Sequence, residues 1–361
     1  MRPAYLIVPL AVVVGYAMTV WTPATGKPSQ PERPRRGVAV AGAEFGADRP
    51  TFSQRTPGVH GRDYRYNGPR TYEQLAGQGV NLFRLSVRWE RLQPRLGGAL
   101  DAGELGRLRT AVARAKQAGG EAILDLHNFG RYVVDINGLP YECVIDERVG
   151  GTTPVTRAHF ADLWARLARE FQGEPAVYAY GLMNEPHDMG GSDWKGISQV
   201  AVDAIRAEGD RKAILVSGND WSHAHRFAEA NGPTAWVADP AANILYEAHC
   251  YLDRDASGKY RQSYEAESAA DSDLEDRAAH RLAPFVEWCR ANGVRGFVGE
   301  FGVPANDPRW LPLVRQAVEV LDAVNMGGCY WAAGEWWGDY PLSVQPASAG
   351  KLAAPLAIWK N

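Results

Sequence analysis

Residues 156–186 read TRAHFADLWARLAREFQGEPAVYAYGLMNEP, and two different periods meet within them. In the first half Phe160, Leu163, Trp164 and Leu167 recur at helical spacing, so 156–171 predicts an amphipathic helix with Trp164 on its core face. The second half is a short apolar run at 178–184 that closes on Asn184-Glu185-Pro186, which predicts a strand. Pro186 has no N–H to donate, so it stops strand pairing and turns the chain directly after the glutamate.

The same unit recurs along the chain. Short apolar runs ending in polar or charged residues lie at 38–45, 81–87, 122–127, 178–184, 213–217, 244–251, 296–301 and 328–331, with helical spacing between them, as at 105–118. Eight strands alternating with helices, at roughly 40 residues per unit, predict an α/β fold, a closed (β/α)₈ TIM barrel forming one catalytic domain over residues 37–361. An open doubly wound sheet is the rival. It calls for a G-x-G-x-x-G turn after an early strand, whereas Gly42-Ala43-Glu44-Phe45-Gly46 lacks that spacing and sets an acid where phosphate would sit.

Composition narrows the function. With 45% hydrophobic and 22% charged residues in 361, the chain has apolar material for one large core and is neither disordered, coiled coil nor a disulfide-dense miniprotein. Thirty-nine basic against 42 acidic residues give a net charge of −3, too little field to gather nucleic acid. The excess lies in aromatics, 12 Trp and 15 Tyr, which pair an apolar face with a polar edge, as sugars do. The uncharged run AYLIVPLAVVVGYAMTV at 4–20 follows Arg2 and predicts an export signal, with residues 1–36 serving as leader and Pro/Arg-rich linker. The protein is therefore expected outside the cytoplasm, secreted or periplasmic. Thr22-Pro23-Ala24 is a mediocre processing site, so attachment to the membrane through 4–20, facing outward, is the alternative. Cys143, Cys250, Cys289 and Cys329 show no CxxC spacing, and neither metal nor other cofactor is expected. Export permits disulfides, and Cys250, pointing outward from its strand, could reach Cys289. A monomer is expected.

In a barrel of this kind every strand ends at one mouth. The strand ends here offer Glu44, Arg84, His127-Asn128, Asn184-Glu185, Asn219 with Trp221, His249 with Tyr251, Glu300, and Trp331. Buried charges must be paired, so such a cluster marks a site. Glu185, turned into the mouth by Pro186, and Glu300, flanked by Gly299 and Gly302, supply the two carboxyls that glycosidic cleavage needs. One protonates the leaving oxygen and the other attacks the anomeric carbon. A separation of about 5 Å means retention, whereas about 6.5–9.5 Å means inversion. Arg84 would keep Glu300 ionised, which makes Glu300 the nucleophile and Glu185 the acid/base. Asn184 would bond the sugar 2-hydroxyl, Tyr251 would reach the same carboxylate as Arg84, and His127 and His249 would bond hydroxyls or tune the acid. His187 lies two residues beyond the acid. Trp221, Trp331, Trp336 and Trp337 offer rings for stacking on pyranose faces, although Trp336 and Trp337 cannot both face one groove. Asn128, Glu335 and Asp339 would bond hydroxyls, while Trp89, Trp288 and Trp310 fall to core or surface. A metal-dependent hydrolase would need more than His223-Ala-His225, which has no matching carboxylate cluster.

These segments resemble glycoside hydrolase family 5 over about residues 37–346. The carriers are Phe83-Arg84-Leu85, Leu124-Asp125-Leu126-His127-Asn128, Asn184-Glu185-Pro186, Gly218-Asn219-Asp220-Trp221, His249-Cys250-Tyr251, Gly299-Glu300-Phe301-Gly302 and Tyr330-Trp331-Ala332-Ala333-Gly334. The resemblance implies a retaining barrel enzyme with Glu185 as acid/base and Glu300 as nucleophile. Arg84, His127, Asn184, His249, Tyr251 and Trp331 would form its supporting shell. It looks most like the endo-β-1,4-glucanase branch, so a β-linked polysaccharide or oligosaccharide is the expected partner. A β-mannanase and a catalytically inactive glycan-binding barrel are the alternatives. The long segments 130–155 and 253–276 have no counterpart in the family pattern.

Overall fold

A computed structural model describes residues 34–346 and 353–360. The expected export segment at 4–20 lies outside the described residues. Among the described residues no helix is long and apolar enough to cross a membrane.

In chain order the strands are β1 (Arg36–Val40), β2 (Leu82–Val87), β3 (Glu121–Leu126), β4 (Arg131–Ile136), β5 (Leu139–Val144), β6 (Val177–Gly181), β7 (Ala213–Ser217), β8 (Ile244–Tyr251), β9 (Arg295–Gly302) and β10 (Gly327–Ala333). All but β4 and β5 run parallel and close in the order β1-β2-β3-β6-β7-β8-β9-β10, with Arg36 of β1 in register with Gly328 of β10. The helices are α1 (Pro69–Ala76), α2 (Trp89–Leu92), α3 (Ala102–Gln117), α4 (Arg157–Phe171), α5 (Trp194–Ala207), α6 (Phe227–Asn231), α7 (Tyr264–Ala270), α8 (Arg277–Asn292), α9 (Leu311–Asp322) and α10 (Ala354–Trp359). The (β/α)₈ barrel expected from the strand-helix repeat is the fold.

The opening unit shows how sequence makes it. Thr156 caps α4 by accepting the His159 N–H, and His159 Nδ1 accepts the Thr156 N–H in return. Phe160, Leu163, Trp164 and Leu167 are buried, and the Trp164 indole donates to the Leu182 carbonyl at 3.2 Å, tying helix to strand end. Trp89, Trp288 and Trp310 are also buried. Inside the barrel, Leu82, Ile123, Leu245, Phe297 and Cys329 form an apolar plug. Two residues further along their strands, on the same faces, stand Arg84, Asp125 and Glu247. Strand alternation thus stacks a charged layer on an oily one.

Several boundaries differ from expectation. β1 begins at Arg36 and ends at Val40, not Phe45, because Gly42 takes φ +137 and breaks the strand. Arg35 pairs with Glu121 and Arg36 with Asp322, so both belong to the barrel rather than to a linker. Within 130–155 the chain forms the antiparallel hairpin β4–β5, turning through Asn137 (φ 55) and Gly138 (φ 85). All four cysteines are buried and free. Cys289 packs over β9, where a methyl on Gly296 would stand 2.9 Å from its sulfur, and forms no bond to Cys250 of β8.

Candidate active site

Arg84 is the hub of the charged layer. It is fully buried, its Nη1 donates to Glu300 Oε1 at 2.9 Å, and its Nη2 reaches Asn184 Oδ1 at 2.7 Å, Asp125 Oδ1 at 3.0 Å and Glu247 Oε1 at 3.1 Å. Burial opposes its charge, but three carboxylates outweigh burial and raise its pKa. Tyr251 donates its hydroxyl to the other Glu300 oxygen at 2.6 Å. Glu300 is therefore held at both oxygens.

Glu185 follows β6. Its own backbone is left-handed (φ 46), a conformation that costs a non-glycine residue on the order of 1 kcal/mol. Neighbouring backbone bonds fix it there: Asn184 N–H to the Leu126 carbonyl, Phe129 N–H to the Asn184 carbonyl, and Trp221 N–H to the Pro186 carbonyl. A carboxylate oxygen of Glu185, one of Glu300 and a ring nitrogen of His249 all lie within 4.8 Å of one another.

His249 sits between them. Its Nδ1 is 2.7 Å from Glu185 Oε1 and 3.7 Å from Glu300 Oε2, while its Nε2 is 3.5 Å from the fully buried Glu247. Burial would discharge this imidazole, but Glu300, Glu185 and Glu247 together push its pKa up to about 10. Glu185 in turn is held below the usual carboxylate range: burial opposes this, and the His249 hydrogen bond and charge prevail. Glu300 moves upward, through burial first and then repulsion from Glu185, against the pull of His249 and Arg84. Arg84 alone thus does not dictate its charge, and the two carboxyls and His249 titrate as one group.

His127 Nδ1 contacts Asp125 Oδ2 at 2.9 Å, its Nε2 lies 3.3 Å from Asn184 Nδ2, and its ring stacks on Trp331 at 5.4 Å between centroids. His187 stacks on Trp221, centroids 3.3 Å apart and planes 9° off parallel, leaving Trp221 exposed at the rim. Glu44 accepts the Gly42 N–H through one oxygen, and its other oxygen is buried without a partner. Burial raises its pKa.

Two expected sugar contacts are built otherwise. Asn128 is buried, with its amide nitrogen on Glu90 and the Arg131 carbonyl and its oxygen on the Trp89 N–H; it braces the loop after β3. Glu335 is used up by the Gly68 N–H at 2.7 Å, the Thr71 hydroxyl at 3.1 Å and Arg65 at 2.5 Å, and so clamps the loop after β10 to the one after β1. Trp337 packs on Phe45, Trp331 and Tyr340, whereas Trp336 turns away beneath Arg65. Asp125 and Glu247 were given no role from sequence. Their signal was alternation: each stands two residues before a histidine on the same strand face.

Glu185, His249 and Glu300 have the proximity of a cation site. Their donors are already committed, to Arg84, to Tyr251 and to one another, and a cation there would face the Arg84 guanidinium. The set fits proton sharing better than metal ligation.

The family model for cellulase, glycosyl hydrolase family 5, matches residues 41–339. Endo-beta-1,4-glucanase B of Aspergillus niger is 32% identical over 333 residues, covering 90% of this chain and 89% of that protein. Endoglucanase gh5-1 of Neurospora crassa is 33% identical over 317 residues, 86% of this chain and 73% of its own. Among solved structures, the Pseudomonas stutzeri endoglucanase Cel5A in complex with cellobiose superposes with a TM-score of 0.76 at 32% identity, covering 90% of each chain. The endo-beta-1,4-glucanase Xac0029 of Xanthomonas axonopodis pv. citri gives 0.75 at 35% identity over 90% of this chain and 98% of that one.

Proposed function

The chain belongs to the cellulase family, glycosyl hydrolase family 5, and from that premise we propose that it cuts β-1,4-glucan by double displacement, with Glu185 as acid/base and Glu300 as nucleophile. The observation that carries this is the approach of the two carboxylates within 4.8 Å. That distance leaves no room for a water between carboxyl and sugar on the far face, as inversion requires, and suits direct attack.

In the first step Glu300 attacks the anomeric carbon, the bond to the leaving sugar breaks, and Glu185 delivers its proton to the departing oxygen. The product is a glycosyl ester on Glu300. In the second step Glu185 takes a proton from water, the water oxygen attacks the same carbon from the vacated side, and Glu300 leaves as carboxylate. For the first step Glu185 takes its proton from His249, whose Nδ1 lies 2.7 Å from its Oε1, while Arg84 and Tyr251 go on donating to Glu300. Asn184 has its oxygen on Arg84 and its amide nitrogen 3.3 Å from His127 Nε2, which leaves the second amide hydrogen for the sugar 2-hydroxyl. The stacked pairs His127–Trp331 and His187–Trp221 supply flat faces for pyranose rings. The apolar segment at 4–20 supports an exported enzyme.

Two measurements test the proposal. A 2-fluoro cellobioside should label Glu300, and NMR should show the β-anomer as first product; an α-anomer would mean inversion. Carboxymethyl-cellulose and lichenan should be cut faster than galactomannan. The reverse order would favour a β-mannanase, and retention on a glucan without cleavage a glycan-binding barrel.

A further inference from the structure

A cavity of about 420 Å³ opens on the mouth side of the barrel, between the loop after β1, the loop after β10 and helix α3. Trp336 lines it, together with Arg65, Arg107, Arg114, His60 and Tyr66. Arg107 and Arg114 stand two turns apart on one face of α3. Two of the arginines are answered by carboxylates: Arg65 by Glu335 at 2.5 Å and Arg107 by Glu104 at 2.9 Å. Arg114 donates to the Asn67 carbonyl at 2.5 Å and has no carboxylate partner among the described residues. Glu104 also accepts the hydroxyls of Tyr64 and Tyr66, at 2.7 and 2.9 Å, so its charge is dispersed over three donors.

The geometry points to a subsite for a negatively charged sugar unit, its ring against Trp336 and its carboxylate answering Arg114. This rests on the glucan-cleaving function proposed above and adds to it a class of substrate: a β-glucan bearing acidic substituents. One loop serves both this cavity and the main cleft: Glu335 ties it to Gly68, Trp336 lines the cavity, and Trp337 packs on Trp331. The His60 imidazole feels the same field. Burial first, and then the charges of Arg107, Arg65 and Arg114, hold it below its ordinary pKa against the pull of Glu104. The protein as a whole is acidic, at net −3, so a preference for an anionic polymer cannot come from overall attraction and must be local.

The test compares carboxymethyl-cellulose with hydroxyethyl-cellulose, matched in chain length and degree of substitution, using the full chain. The wild type should show a KM lower by about two- to fivefold for the carboxymethyl polymer at low salt, the range of a partly exposed ion pair, and the advantage should vanish by about 0.5 M NaCl. Arg114→Gln should abolish the advantage and leave kcat and KM on hydroxyethyl-cellulose unchanged, while Arg114→Lys should keep part of it. Trp336→Ala should raise KM on both polymers. Equal KM for the two polymers in the wild type, or a parallel loss on both in Arg114→Gln with a normal melting temperature, overturns the inference. If neither polymer is cut, the hydrolase proposal fails instead, and calorimetric titration with the two polymers still reads the preference.

Discussion

The carboxylate of Glu247 lies against the α-carbon of Gly299: a methyl group there would stand 1.7 Å from its Oε1. Only because position 299 lacks a side chain can Glu247 of β8 lean across β9 and reach Arg84 and His249. Gly299→Ala must therefore displace a fully buried anion. Stability should fall by about 1–3 kcal/mol, the range for overpacking, and kcat should fall with it. Urea unfolding alongside initial rates checks this; an unchanged midpoint with full activity would refute the placement of Glu247.

Glu247 should also set the alkaline limit of stability. His249 has a folded pKa raised to about 10 from an unfolded value near 6.5. Its contribution is thus fully present below about pH 6.5 and is lost as pH rises through about 10. Glu247→Gln removes one of three carboxylates that hold the proton, so the folded pKa drops and the decline, which starts near pH 6.5 in both proteins, ends at lower pH. Melting temperatures from pH 6 to 10.5 should show the variant below wild type near neutral pH and the gap closing toward pH 10, where wild type goes on losing stability after the variant has levelled off. A gap that stays constant up to pH 10.5 would count against Glu247 as a partner of the imidazolium.

Tyr251→Phe deletes the 2.6 Å hydrogen bond to Glu300 and nothing larger. Without that donor the carboxylate is harder to ionise, so the acid limb of kcat/KM should shift to higher pH, and kcat should drop about tenfold or more with KM little changed. A variant with the wild-type pH profile would show that the hydroxyl does not tune the nucleophile.

Trp221→Ala leaves His187 without its stacking partner and removes an exposed ring at the rim. KM for long cello-oligosaccharides should rise about three- to tenfold, with kcat held within a factor of two. Loss confined to kcat would place Trp221 in the chemistry rather than in binding.

The fold was legible because its signals are local. Apolar runs and helical spacing each act within one element, and Pro186 or the Thr156 cap ends an element by its own covalent chemistry. The Asn137-Gly138 turn was legible too, since both residues tolerate positive φ, and it marks the hairpin that went unread inside 130–155. Glu185, Glu300 and their partners Arg84 and Tyr251 could be named because a barrel brings all strand ends to one mouth.

What sequence alone determined, then, was which groups reach the mouth. Which of them are free to meet a sugar was decided only by the tertiary structure. Asn128 and Glu335 carry the right atoms for a hydroxyl, but Glu90, Trp89, Gly68 and Arg65, brought in by other loops, already satisfy them. The same holds for charge. His249 is a strong base only because β6, β8 and β9 place three carboxylates around one buried ring, and Coulomb energy depends on separation in space, which spacing along the chain does not encode.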